Sequence, residues 1–175
     1  MTPSRLSYRT AMKSDAQDLV AIHFAAVHAL SADYYSNVVK RAWSPPPDTS
    51  RRQWLSDVIS QESTICVVAI LDDARTLGFC IAIHSQSQLL ALYVHPDHSG
   101  FGIGRALLQQ VEARCSAIGL EKLELKASCN AEAFYRHCGY EILGPTTQPL
   151  PDGQSMTAIH MAKRLSRVAH PRQAP

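Results

Sequence analysis

The chain reads as an α/β (α+β) fold, with a central mixed, largely antiparallel sheet of six to seven strands and about four flanking helices. Three observations predict it. Apolar runs at 65–71 and 77–83 flank the turn residues 72–75, which is the pattern of a hairpin. A third apolar run, 89–94, passes through a glycine-spaced turn into an amphipathic helix. Beyond that helix, Leu123, Leu125 and Ala127 alternate with Glu124 and Lys126, as a parallel strand returning by a crossover would.

The remaining elements follow in order. Leu6 and Tyr8 alternate with Ser7 and Arg9 in a short first strand. Ser14 and Gln17 form a capping box, after which Leu19, Ile22, Ala26, Val27 and Leu30 trace one helical face. The interval 31–48 has no clear period and reads as a helix fragment and loop. After Pro45, Pro46 and Pro47, Ser50 with Gln53 caps a helix that carries Leu55, Val58 and Ile59 inward. The helix behind the glycines buries Ile103, Leu107, Val111 and Ile118 and stops at Gly119. A short helix near Asn130 precedes two closing strands, 140–143 and 156–165, joined by a turn at Pro151, Asp152 and Gly153. Residues 1–165 make a single domain, and 166–175 reads as a disordered polar tail.

A chain of 175 residues can bury roughly 70% of its unfolded surface, enough for a core without staples. The formal net charge of +2 points to neither nucleic acid nor an anionic membrane as partner. Arg51–Arg52 and Lys163–Arg164 read as solvated element ends. The five cysteines show no C-x-x-C spacing, and His95 with His98 lacks further ligands, so no metal is expected. With no charged-then-apolar leader and no apolar run of about 18 residues, the expected location is a reducing cytoplasm.

The strand-to-helix junction carries the chemistry. The first N–H groups of a helix lack intrahelical partners and sit at its positive end, so an anion there gains several hydrogen bonds at once. Gly100, Gly102 and Gly104 let a phosphate approach those amides, and Arg105 adds a charge. Neither glycine frame fits G-x-G-x-x-G, and Gly104-Arg105-Ala106 is not the end of a P-loop. A tight turn that holds no ligand is the competing reading.

Residues 90–108 resemble the acetyl-CoA-binding motif of the GNAT N-acetyltransferase superfamily: an apolar strand, Val94-His95-Pro96, then Gly102-Ile103-Gly104. Ser99 stands where Arg or Gln is usual. The segment from Asn130 through Phe134 and Tyr135 to Gly139 and Tyr140 is similar to a later motif of that family, and the resemblance covers most of residues 4–165. It implies the GNAT fold, with a splayed strand pair that holds acetyl-CoA as donor cosubstrate. It places Leu92, Tyr93 and Val94 along the pantetheine arm and Ser99, Gly100, Phe101, Gly102, Ile103, Gly104 and Arg105 around the diphosphate. Asn130, Ala133, Phe134 and Tyr135 then complete the cofactor site, with Asn130 also a helix cap.

The reaction so implied is acetyl transfer to a primary amine, on a small molecule or peptide, by direct attack in a ternary complex. Tyr135 is the general acid, since a phenol near its reference value of about 10 is protonated at neutral pH. The base is open. Gln88 occupies a position where some relatives carry Glu, leaving His84, Glu124, His23 or His28 as candidates. Tyr34, Tyr35, Trp43 and Trp54 offer flat surface for the acceptor. Two other classes remain: a non-catalytic acyl-CoA sensor, and an enzyme using Cys129 as nucleophile. A homodimer is an expectation from resemblance alone.

Overall fold

A computed structural model of the protein describes residues 5–72 and 74–166. One seven-stranded sheet runs through it, in the order β1-β2-β3-β4-β5-β7-β6. The strands are β1 (Leu6–Thr10), β2 (Thr64–Leu71), β3 (Arg75–Ile83), β4 (Gln88–Val94), β5 (Lys122–Ser128), β6 (Glu141–Pro149) and β7 (Ser155–Arg164). The helices are α1 (Ala16–His28), α2 (Asn37–Trp43), α3 (Thr49–Ile59), α4 (Ile103–Ala117) and α5 (Glu132–His137). Every strand pair is antiparallel except β4 with β5, which α4 joins as a crossover.

Two apolar layers fill the faces of the sheet. On one, Leu107, Leu108, Val111 and Cys115 of α4 pack with Val67, Leu123, Leu125 and Met161, and α5 adds Tyr135. On the other, Leu19 and Ile22 of α1 and Leu55 and Val58 of α3 cover Val68, Phe79 and Ile81. Burying each such side chain is worth about 1.5–3 kcal/mol, so the helices are held mainly by these faces. A smaller cluster of Tyr35, Leu150 and Met156 closes the end where α2 meets β7.

The structure corrects several local expectations. Ser14 and Gln17 do not cap α1. A 3-10 turn, Lys13–Asp15, precedes the helix, and the Asp15 carboxylate accepts from Met12 N at 2.7 Å and from both terminal nitrogens of Arg9. An ion pair with the preceding strand thus displaces the local capping box. Asp48, not Ser50, caps α3 by accepting from Arg51 N at 2.8 Å. Ile118 is 55% exposed, because it lies past the last helical turn where the chain swings out towards Gly119 at φ +87°. The penultimate strand runs on to Pro149 rather than ending at residue 143. Residues 167–175, most of the expected tail, lie outside the described residues, as does Asp73 of the hairpin turn.

Candidate active site

β4 and β5 touch at one register pair, Gln88 with Glu124, where Glu124 N–H donates to Ser87 C=O at 2.8 Å. Beyond it they diverge. The β3–β4 register shifts at Ile81/Ala82, placing a bulge in β4, and bulges bend a strand away from its neighbour. His95 N–H donates to Leu77 C=O at 2.7 Å, and alternation along an antiparallel pair then turns Tyr93 to β3 and the N–H groups of Leu92 and Val94 towards the gap.

That gap is a cavity of about 600 Å³, within the range of small-molecule sites. Leu92, Tyr93, Val94, Ser99, Gly104, Asn130, Phe134 and Tyr135 line it, together with Ser128 and, from the α1–α2 side, Ala26, Leu30 and Trp43. It adjoins a second cavity of about 380 Å³, lined by Ser99, Gly100, Gly102, Ile103, Gly104, Arg105 and His137, with Val94, Ser99, Gly104 and Phe134 bordering both. Gly100 and Gly102 sit at φ +84° and +80°, the left-handed region that glycine enters without strain. The first-turn amides of α4 border this second cavity without intrahelical partners, which suits a diphosphate.

The structure therefore brings together most of the residues that the motifs single out. Two stand apart: Phe101 is 78% exposed and, like the exposed Ala133, puts its side chain in neither cavity. Asn130 lies inside a 3-10 turn rather than at a cap, and its buried Oδ1 has no partner, leaving an acceptor for a bound group. Tyr135 is buried against Phe134 and Tyr140, with ring centroids 5.1 and 5.5 Å away. Burial pushes its hydroxyl well above the ordinary tyrosine value, so it stays protonated.

None of the four candidate bases lines the cavity. Glu124 is at the closed end, bonded to His160 at 2.8 Å and to Lys122, whose hydrogen bonds hold it below the usual carboxylate range. His84 meets Glu62 C=O at 3.1 Å and His28 meets Ser44 C=O at 2.9 Å. His23 Nδ1 accepts from the Arg51 guanidinium at 2.8 Å, so Nε2 carries the proton. Burial first, then Arg51 and His28, hold His23 down to about 3, and with Nδ1 occupied it is no base.

Arg51 is the residue that sequence reasoning missed. Read as a solvated helix end, it is in fact partly buried between α1 and the proline loop, donating to His23 and to Pro45 C=O. The proposed acceptor aromatics also separate. Trp43 lines the main cavity, Trp54 a third one beside it, and Tyr34 is 52% exposed in neither. Tyr35 is a tether, its hydroxyl donating to Thr157 C=O at 2.8 Å and accepting from Cys129 N at 2.7 Å. Cys129 lines neither cavity, and burial pushes the thiols of Cys66, Cys80 and Cys115 up, as for small core residues.

The sequence of residues 35–165 matches the family described as "Acetyltransferase (GNAT) domain". The chain belongs to the GNAT acetyltransferases. No curated protein matches it significantly. Among solved structures, a GCN5-related N-acetyltransferase from Rhodopseudomonas palustris is 27% identical with a TM-score of 0.80, covering 94% of this chain and 99% of that one. A GNAT phosphinothricin acetyltransferase from Sinorhizobium meliloti, solved with acetyl-CoA, is 20% identical with a TM-score of 0.68, covering 96% and 94%. The PaiA N-acetyltransferase from Thermoplasma acidophilum, solved with coenzyme A, is 18% identical with a TM-score of 0.69, covering 91% and 99%. The fold of this chain is thus shared with acetyltransferases. Among the described residues no helix is long and apolar enough to cross a membrane, and no three potential ligands gather to hold a metal.

Proposed function

We propose that the protein, acting as one domain, transfers the acetyl group of acetyl-CoA to a primary amine by direct attack in a ternary complex. The observation that carries this reading is that the two cavities adjoin, sharing Val94, Ser99, Gly104 and Phe134 as walls. One runs along the unpaired edge of β4 past Tyr135, and the other follows the glycine turn at the start of α4.

When bound, acetyl-CoA supplies an acetyl thioester and a thiol leaving group. The amides of residues 100–105 hold the diphosphate, with Arg105 at its edge. The N–H groups of Leu92 and Val94 hold the pantetheine arm and donate where negative charge grows on the carbonyl oxygen. Tyr135 Oη, kept protonated by burial, would donate its proton at the sulfur as the carbon–sulfur bond breaks, and would regain one from the proton that the amine releases. Asn130 Oδ1 accepts from the cofactor. No Asp, Glu, His, Lys or Arg among the described residues lines the main cavity, so the amine enters neutral and its surplus proton leaves through water.

That same absence favours a second reading, an acyl-CoA sensor without turnover. Release of free thiol from acetyl-CoA in the presence of a panel of amines separates the two. Amine-dependent release supports transfer. Tight acetyl-CoA binding with no release from any amine supports the sensor.

A further inference from the structure

Arg105, His98 and His137 line the second cavity, and among the described residues no carboxylate does. Of these side chains only Arg105 is cationic at every physiological pH. A diphosphate brings more negative charge than one guanidinium balances, so a further cation on the wall would stabilise it.

The two imidazoles differ in what they can offer an anion. His137 Nδ1 lies 2.6 Å from Ala133 C=O, and a carbonyl only accepts, so the ring proton of neutral His137 sits on Nδ1. Its Nε2 is then a bare lone pair. His98 Nε2 is buried without a partner, and among the described residues no carbonyl holds the proton of that ring, so neutral His98 can turn Nε2–H to an anion. A phosphate oxygen also has only lone pairs to present. Neutral His137 therefore repels it, whereas the imidazolium gains a charge-assisted N–H···O bond.

The surroundings make that second proton conditional on the ligand. Arg105 opposes a charge on His137 while the cavity is empty, and a bound anion reverses the balance. His137 is also the last residue of α5, where the carbonyl end of a helix favours a cation. The other titratable groups nearby are committed. Burial pushes the Cys138 thiol up and keeps it neutral, Glu112 is paired with Lys163 at 2.6 Å, and Glu132 with Arg136 at 3.7 Å.

We propose that His137 is a ligand of the cofactor diphosphate in its imidazolium form, so that the protein takes up a proton as it binds coenzyme A. This deepens the proposed function and rests on its placement of the diphosphate.

The probe for the test is dephospho-coenzyme A. It keeps the diphosphate and lacks the 3′-phosphate monoester, whose own second ionisation at about pH 6 would fall in the same window. In calorimetric titrations the dissociation constant should weaken roughly tenfold between about pH 6 and pH 8.5, as imidazole loses its proton. At about pH 7, two buffers of different ionisation enthalpy should give different heats, which count the proton taken up. His137→Gln donates from an amide with no change of protonation, and should bind the probe with nearly constant affinity and buffer-independent heat. His98→Gln should keep the wild-type slope.

A wild-type affinity that does not change with pH overturns the proposal, as does a slope that persists in His137→Gln or disappears in His98→Gln. Binding of coenzyme A with none of dephospho-coenzyme A also overturns it, since recognition then belongs to the 3′-phosphate. A protein that binds neither nucleotide removes the proposed function itself. Because binding and not turnover is read, the outcome is independent of whether acetyl transfer occurs.

Discussion

Gln88 and Glu124 mark the hinge of the V between β4 and β5. Leu92 lies four residues past it, about 13 Å along the strand, where the edge of β4 is open. At that separation neither Gln88 nor Glu124 borders the open edge of β4 directly, and neither lines the main cavity. What the site needs is an exact placement of β4 against β3.

Gly78 secures that placement. A Cβ there would meet Tyr93 O at 2.8 Å and both Val94 Cα and Leu107 Cδ1 at 3.2 Å. Gly78→Ala must push β4 outwards, and should lower unfolding free energy by about 1–3 kcal/mol while weakening acetyl-CoA binding. Urea denaturation and cofactor titration check both effects. Wild-type stability and affinity together would show that β4 is not held from this side.

Tyr135→Phe keeps the ring packed on Phe134 and Tyr140 and removes the proton donor alone. The expected outcome is a fall in kcat of about a hundredfold or more with the dissociation constant for coenzyme A nearly unchanged. Stopped assays of thiol release and calorimetry supply the pair of numbers. An unchanged kcat takes the general-acid role away from Tyr135.

His23 makes stability depend on pH. Its folded value is lowered to about 3 from an ordinary 6.5, so between those limits the unfolded chain binds the extra proton. Its contribution is therefore complete above pH 6.5 and is lost as pH falls towards 3, by up to about 1.4 kcal/mol per pH unit. Urea midpoints measured from pH 7 to 4 should fall, and His23→Gln should flatten the slope. Parallel slopes in the two proteins would place the pH dependence elsewhere, Asp15 being the next group to titrate. Burial raises Asp15, but its bonds to Arg9 and Met12 outweigh that and leave it lowered.

Tyr35 joins the loop before α2 to the ends of β5 and β7 through Thr157 C=O and Cys129 N–H. Tyr35→Phe strands Cys129 N–H and leaves Thr157 C=O only the weak Cys129 Sγ donor at 3.8 Å, and should cost about 1–3 kcal/mol by urea denaturation. Because Trp43 packs on the same ring at 5.6 Å, the acceptor wall should loosen and KM for the amine rise more than kcat falls. A change in kcat alone would show that the tether does not position the wall.

The parts of this fold legible in the sequence were those governed by local periodicity. The 64–83 hairpin, the crossover through α4 and the positive-φ glycines all follow from residues adjacent in the chain. Features set by distant partners were not legible. Asp15 caps through Arg9 across a turn, Tyr35 becomes a tether only because β7 passes beside it, and Arg51 looked solvated because nothing local shows His23 of α1 above it. The candidate site divides in the same way. Its cofactor half is continuous in sequence around residues 92–105, whereas its acceptor half is assembled from α1, the α2–α3 region and β4, so Trp43 and Arg51 gain meaning only from the assembled fold.

The most direct measurement is a crystal structure of the protein with coenzyme A. The diphosphate should lie within hydrogen-bond distance of the amides of residues 100–105, the pantetheine amides on β4 at Leu92 and Val94, and the sulfur beside Tyr135 Oη. A nucleotide bound elsewhere, or a sulfur remote from Tyr135, would contradict it.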